Sequence, residues 1–262
     1  MNENELLGQE FTRFYAILTT LRRQCPWDRK QTPESLRQYL LEEGYEVIDA
    51  IDRADWTELS KELGDLLLQI VFQSVIAEEE QRFKLLDVIR LINQKMIDRH
   101  PHVFGETVVG SAKEVADNWE HIKLTRENRP SLLSGVPKSS SALLRAQRIQ
   151  EKASRVGFDW NDVEQVIDKV EEEIAELRAA LRENQKMQIR EEFGDLIFSL
   201  VNLSRFIDVV AEDALRLSIN KFISRFEQIE KHFNNDYQKL RSASLEELDR
   251  IWDDIKDRGN DR

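Results

Sequence analysis

The sequence predicts an all-α protein made of a duplicated helical domain, and three observations carry that expectation. Apolar residues recur at three- and four-residue spacing along almost the whole chain, and strand-like alternation is hard to find. Glycine and proline are scarce, 9 and 5 in 262 residues, while 34% of residues are charged, a balance that suits helices with solvated outer faces. Four acids of the first half, Glu43, Glu46, Glu62 and Asp65, return as Glu173, Glu176, Glu192 and Asp195 at a constant offset of 130, which Gly64 and Gly194 share. That period is far too long for a solenoid and marks a doubled domain.

The elements follow in order. The first helix is expected near Leu6–Gln24, with Phe14, Ile17 and Leu21 on its apolar face. The next two, Pro33–Ala54 and Thr57–Glu80, carry "EEGYE" and "ELGD"; the second holds the longest apolar stretch, Leu66 to Ala77. Leu85–Arg99 ends at the turn His100-Pro101-His102, and a fifth helix is expected over Ala112–Thr125. Then comes "RENRPSLLSGVPKSSS", with two prolines, a glycine and five serines, a linker by composition. A second series runs Ala142–Arg155, Val163–Arg182, Met187–Val209, Ala211–Phe233 and Leu245–Lys256. The expected domains are therefore 1–125 and 142–262, joined by 126–141.

Composition removes several function classes. The net charge of -12 speaks against coating nucleic acid, whose phosphates need a basic face. It leaves room for a small phosphorylated substrate, because a metal ion bridges acid to phosphate. Cys25 is alone, so no intrachain disulfide and no cysteine-rich zinc site is expected. The apolar stretch of the third helix is interrupted by Gln69, Gln73 and Ser74 and is too short for a bilayer. The segment "MNENELLGQE" lacks the basic and apolar regions of a signal peptide. The expectation is a cytoplasmic protein with no membrane and no nucleic-acid partner.

The acids are the chemical signal. Within "EEGYE" and "EEIAE" the last two glutamates lie at i and i+3, as do the Glu and Asp of "ELGD" and "EFGD". Such a pair taken alone is ordinarily a solvated helix face. Here the Glu62 and Glu192 helices are the most apolar of their halves, and the pairs lie 19 residues apart in both copies. That spacing suits two antiparallel helices joined by a short connection. Facing pairs would gather four carboxylates, which repel one another without a cation. Ligation by oxygen alone selects Mg²⁺, Mn²⁺ or Ca²⁺ over zinc or copper.

The duplicated pattern Glu-Glu-x-x-Glu followed by Glu-x-x-Asp resembles the MazG-type nucleoside triphosphate pyrophosphohydrolases. "CPWDRKQT", "RHPHVFGE" and "VGFDW" strengthen the resemblance, which covers nearly the whole chain. It implies tandem four-helix-bundle-like MazG domains, Mg²⁺ dependence with Mn²⁺ as a substitute, and a homodimer. The implied reaction converts a nucleoside triphosphate and water to the monophosphate and pyrophosphate. By the same resemblance Glu173, Glu176, Glu192 and Asp195 would hold the metal, with Glu43, Glu46, Glu62 and Asp65 as a second, weaker site. Glu172 would orient or deprotonate the water, or support the ligands from behind.

Phosphate also calls for cations. Lys221 and Arg225, at i and i+4, can grip one polyphosphate together, and Lys95 and Arg99 repeat the pair. Either residue alone would read as a solvated basic patch. Lys169 shares the face of Glu173 one turn earlier and is a further candidate. Trp252 and Lys256, echoed by Trp119 and Lys123, offer a stacking surface and a charge, with core packing the competing reading for the tryptophans. Phe158 and Trp160 are assigned to packing, and His100 and His102 to a structural turn. Asn202 lies two turns beyond Asp195 on its face, where the first half has Phe72. The second half also opens with a basic stripe, Arg145, Arg148, Lys152 and Arg155. Both differences make the second domain the main catalytic candidate.

Three rival readings are weighed against this one. A ferritin-like di-iron bundle needs Glu-x-x-His on two helices, and the chain has none. A pyrophosphohydrolase restricted to dUTP, dCTP or phosphoribosyl-ATP would share these acids, and a non-catalytic helical partner-binding protein would release no pyrophosphate. The expected substrates are NTPs and dNTPs broadly, in a nucleotide-pool housecleaning role.

Overall fold

The computed structural model describes residues 2–111, 114, 115 and 131–260, and among these no strand occurs. The chain divides into two compact units, Met1–Trp119 and Glu120–Arg262. The expected helix Ala112–Thr125, with Trp119 and Lys123, lies almost wholly outside the described residues.

The first unit opens with α1, Glu3–Gln24. It starts three residues earlier than expected because Asn2 and Glu5 form a reciprocal capping box, Glu5 N–H to Asn2 Oδ1 at 2.9 Å and Asn2 N–H to Glu5 Oε2 at 3.0 Å. A short 3₁₀ turn, Asp28–Lys30, precedes α2, Arg37–Asp52. Thr32 and Ser35 bond each other's backbone N–H groups as a capping pair, but Arg37 N–H then goes to the Glu34 carbonyl at 3.3 Å, a tighter turn, so regular α2 begins later than Pro33. Ala54, at φ 51°, turns the chain into α3, Trp56–Glu79, whose first turn is capped by Asp55. Two helices joined this tightly must pack antiparallel. α4, Leu85–Arg99, and the one-turn α5, Pro101–Phe104, complete the unit. Its core joins Leu18 of α1, Leu36, Val71, Phe72, Val75 and Ile76 of α3, and Leu85 of α4. Each such aliphatic side chain contributes roughly 1.5–3 kcal/mol on burial.

The second unit repeats the plan. α6, Ala142–Ser154, is capped by Ser141, and a loop with Gly157 at φ 84° leads to α7, Val163–Glu183. Asp162 caps α7, and Asn184 ends it in the left-handed conformation at φ 51°, a position that favours Gly or Asn. α8, Lys186–Phe206, stops three residues short of the expected Val209. There Val209 N–H bonds Ser204 O at 2.8 Å and Asp208 adopts φ 55°, both marks of a closing turn. α9, Ala211–His232, is followed by α10, Tyr237–Ser242, which periodicity did not anticipate, and α11, Leu245–Asn260. α7 packs extensively on α8, α6 on both α8 and α9, and α9 on α11. Val166, Val170, Val201, Ile229 and Ile251 are buried there. No described helix is long and apolar enough to cross a membrane.

Candidate functional site

The α7–α8 hairpin explains why acids stand on core helices. Glu172, Glu173 and Glu176 lie on α7, Glu192 and Asp195 on α8, and the antiparallel pairing brings one set against the other. Carboxylate oxygens of Glu173, Glu176 and Glu192 all fall within 4.8 Å of one another. Asp195 is exposed and lies outside that group. In the first unit the group is Glu43, Glu62 and Asp65, with Glu46 outside it. The four-acid pattern is thus gathered in both copies, less one member in each.

The electrostatics are those of crowded like charges. Burial, and then the neighbouring Glu192 and Glu173, raise the Glu176 carboxyl above its usual range. Glu43 is raised by burial and by Asp65 and Glu46, and Glu62 by burial and by Glu46. Glu173 is 5% exposed, and its Oε2 is buried with no hydrogen-bond partner. An unpartnered, buried carboxylate oxygen at the centre of an all-oxygen group is what a hard divalent cation would satisfy. The residues present fit Mg²⁺ or Mn²⁺.

Lys169 supplies the positive charge that meets these acids. Its Nζ lies 2.8 Å from Glu173 Oε1 and 2.9 Å from Glu172 Oε1. These hydrogen bonds, the one to Glu173 first, hold the ammonium above the ordinary lysine range.

Beside Lys169 a cavity of about 540 Å³ opens between α6, α7 and α8. Phe158 and Trp160 line it and are 81% and 44% exposed, which overturns their assignment to packing: the loop holds these rings at a cavity mouth instead of in the core. Asn202 lies on the cavity wall, whereas its counterpart Phe72 is 2% exposed within the first core. At the same offset Lys169 corresponds to Tyr39, which packs against that core.

Two further wall residues escaped the sequence reading. Arg205 pairs with Asp159 at 2.7 Å and donates to Asn202 Oδ1. Gln150 Nε2 donates to the Phe198 carbonyl at 2.9 Å. The signal for Arg205 was its place three residues beyond Asn202, one turn on along the same face.

The remaining expected ligands form a separate set. On α9 and α11 the Arg225 guanidinium lies 5.6 Å from the Trp252 ring centroid, and the Phe222 ring lies 5.3 Å from it. Trp252 thus has a guanidinium over its ring and a tilted Phe222 beside it and is half-buried, while Lys221 and Lys256 are exposed. Neither α9 nor α11 packs extensively on α7 or α8, so the fold does not bring these residues to the acid group within one unit. Of the basic stripe, Arg148 is spent on Glu151 at 2.7 Å.

Paired helices that gather carboxylates twice in one chain, with a lysine and a cavity beside one group, define an all-α protein with acid-centred sites suited to a divalent cation. The MazG nucleotide pyrophosphohydrolase domain matches residues 31–104 and 161–229. A nucleoside triphosphate pyrophosphohydrolase/pyrophosphatase MazG of Thermotoga maritima is 45% identical over 253 residues, covering 95% of this chain and 96% of that one. The nucleoside triphosphate pyrophosphohydrolase of Escherichia coli K12 is 39% identical over 255 residues, covering 94% and 97%. The uncharacterized protein YabN of Bacillus subtilis is 42% identical over 262 residues, 98% of this chain but 54% of its own length. The chain belongs to the MazG family of nucleotide pyrophosphohydrolases and is an enzyme of that hydrolase class.

Proposed function

We propose that the chain hydrolyses nucleoside triphosphates, ribo- and deoxy- alike, to the monophosphate and pyrophosphate, with Mg²⁺ as the working ion and Mn²⁺ as a substitute. Water oxygen bonds to the α-phosphorus, the α–β bridging bond breaks, and pyrophosphate leaves. The observation that supports this most is Glu173, buried with an unpartnered oxygen amid Glu176 and Glu192. When bound, the ion would neutralise phosphate oxygens and acidify water. Glu173, Glu176 and Glu192 would hold it, with Asp195 completing the set by a side-chain turn.

The chain's own groups do the rest. Lys169, which a cation on Glu173 would partly release, would donate to a phosphate oxygen and stabilise the charge that builds there. Glu172, 55% exposed at its side chain, would hold the water proton. Lys221, Arg225, Trp252 and Lys256 grip the substrate from α9 and α11. Because those helices stand apart from the acid group in one copy, we place them against the site of a second copy, as a homodimer would allow. Leu215, Ile219, Phe222 and Ile223 of α9 are each about half exposed, an apolar face that a partner protomer would cover. The second unit does most of the hydrolysis, since Asn202 and Lys169 face a cavity where the first unit has Phe72 and Tyr39.

Pyrophosphate release measured over a panel of NTPs and dNTPs, with and without Mg²⁺, tests the reading. Metal-dependent release from most members is expected. Release from a single nucleotide would favour the narrow-specificity alternative, and none at all would overturn the proposal.

A further inference from the structure

The cavity beside Lys169 has polar walls of fixed direction. Arginine carries only donors, so the atom of Asn202 that faces Arg205 must be Oδ1, and its Nδ2 amino group is turned away. Asp159 holds the guanidinium in turn, at 2.7 Å. At Gln150, whose amide lies against the Phe198 carbonyl one turn before Asn202, the logic inverts. Gln150 must point Nε2 at the Phe198 carbonyl, an acceptor only, which leaves Oε1 as its spare atom. Gln150 is 7% exposed, lines the cavity, and its Oε1 is buried with no partner. A buried acceptor left unmet is destabilising, so a ligand donor there would be strongly felt. The two amides thus offer one donor and one acceptor whose polarities cannot flip. Phe158 and Trp160 add exposed aromatic faces at the same cavity.

We propose that this cavity is a nucleobase subsite, in which the Asn202 amino group and the Gln150 carbonyl read the pairing edge of the base and Arg205 is the positioning residue that fixes the Asn202 amide. The inference rests on the pyrophosphohydrolase reading and extends it to the nucleoside end of the substrate. Enzymes that read an unpaired base do so by hydrogen bonds to its pairing edge and by stacking on aromatic side chains. Every common base carries a donor next to an acceptor on that edge, in an order that differs between bases, so a pair of fixed polarity meets each base in its own register and some better than others. The same pair rejects an edge whose N–H is methylated. The first unit has Phe72 and Val75 at the positions of Asn202 and Arg205, both in its core, and lacks the device.

Steady-state hydrolysis of UTP, N3-methyluridine triphosphate and ribose 5-triphosphate, which has no base, tests this on the full chain. In the parent enzyme the methylated nucleotide is expected to lose about tenfold in kcat/KM, mostly through KM, as one lost hydrogen bond implies. Arg205→Met is expected to lower the ratio of kcat/KM for UTP over ribose 5-triphosphate by about fivefold or more, with Arg205→Lys restoring part of it. Because the ratio is taken within one preparation, a loss of folded protein does not move it. Equal efficiency on all three substrates in the parent, or an unchanged ratio in Arg205→Met, overturns the subsite while leaving the pyrophosphohydrolase reading intact. No turnover of any of the three overturns that reading and the subsite with it.

Discussion

Lys169→Met keeps the side-chain length and removes the ammonium that meets the second acid group. That ammonium lies 2.8 Å from Glu173 and 2.9 Å from Glu172, and the Glu173 side chain is only 6% exposed. Removing one partner of a buried pair costs about 3–5 kcal/mol, because the other charge stays behind unpaired. The Lys169 side chain is 31% exposed, so water screens part of this and about 2 kcal/mol remains. In a unit of this size that corresponds to roughly 4–8 °C in Tm. A divalent cation supplies the missing charge, so most of the deficit should vanish in millimolar Mg²⁺. Scanning calorimetry in EDTA and in Mg²⁺, parent against variant, measures both numbers. Hydrolysis should stay impaired in Mg²⁺ even after stability returns, since the phosphate donor is still absent. An equal deficit with and without Mg²⁺, or none in EDTA, would refute the reasoning.

Three other outcomes follow from the same geometry. Glu192→Gln keeps size but deletes an anionic ligand, so Mg²⁺-dependent pyrophosphate release should be lost while circular dichroism stays helical; near-parental turnover would remove Glu192 from the site. The double variant Lys221→Ala with Arg225→Ala should raise KM and lower kcat together, and unchanged kinetics would make the pair mere surface. At saturating Mg²⁺, Glu176→Ala should abolish most pyrophosphate release and Glu46→Ala little of it; the reverse order would move catalysis to the first unit, and equal partial losses would mean two working sites.

The acid helices were legible because they carry two signals at once. The Glu62 and Glu192 helices are the most apolar of their halves, and the glutamates recur at a fixed offset, so both helix and site could be placed before any coordinates. The ends were less legible, for local reasons. Asn2 and Glu5 begin α1 early through side-chain bonds, and the Arg37 N–H, bonded to the Glu34 carbonyl, delays α2. The cavity was missed because aromatic residues in a motif read equally well as core. Phe158 and Trp160 differ from core residues only in where Gly157, at φ 84°, points the loop. Arg205 could be placed on the face of Asn202 by its spacing, but its pairing with Asp159 could not be read, because the two are 46 residues apart and no periodicity joins a loop to a helix end.

The two copies show how one fold can keep a site's acids while losing its pocket. At positions 72 and 75 the first unit carries Phe and Val, 2% and 3% exposed, where the second carries Asn202 and Arg205. Each exchange trades a polar cavity wall for buried apolar area, which stabilises the first unit and closes the space a nucleoside would need. The acids did not follow. Glu43, Glu62 and Asp65 still converge, and among the described residues no ion pair reaches any of them, whereas Lys169 relieves Glu173 in the second unit. Uncompensated acids beside a packed core cost stability unless a cation is bound, so drift alone would be expected to replace them. Their presence beside a filled pocket supports the proposal that a cation would serve cohesion in the first unit and chemistry in the second.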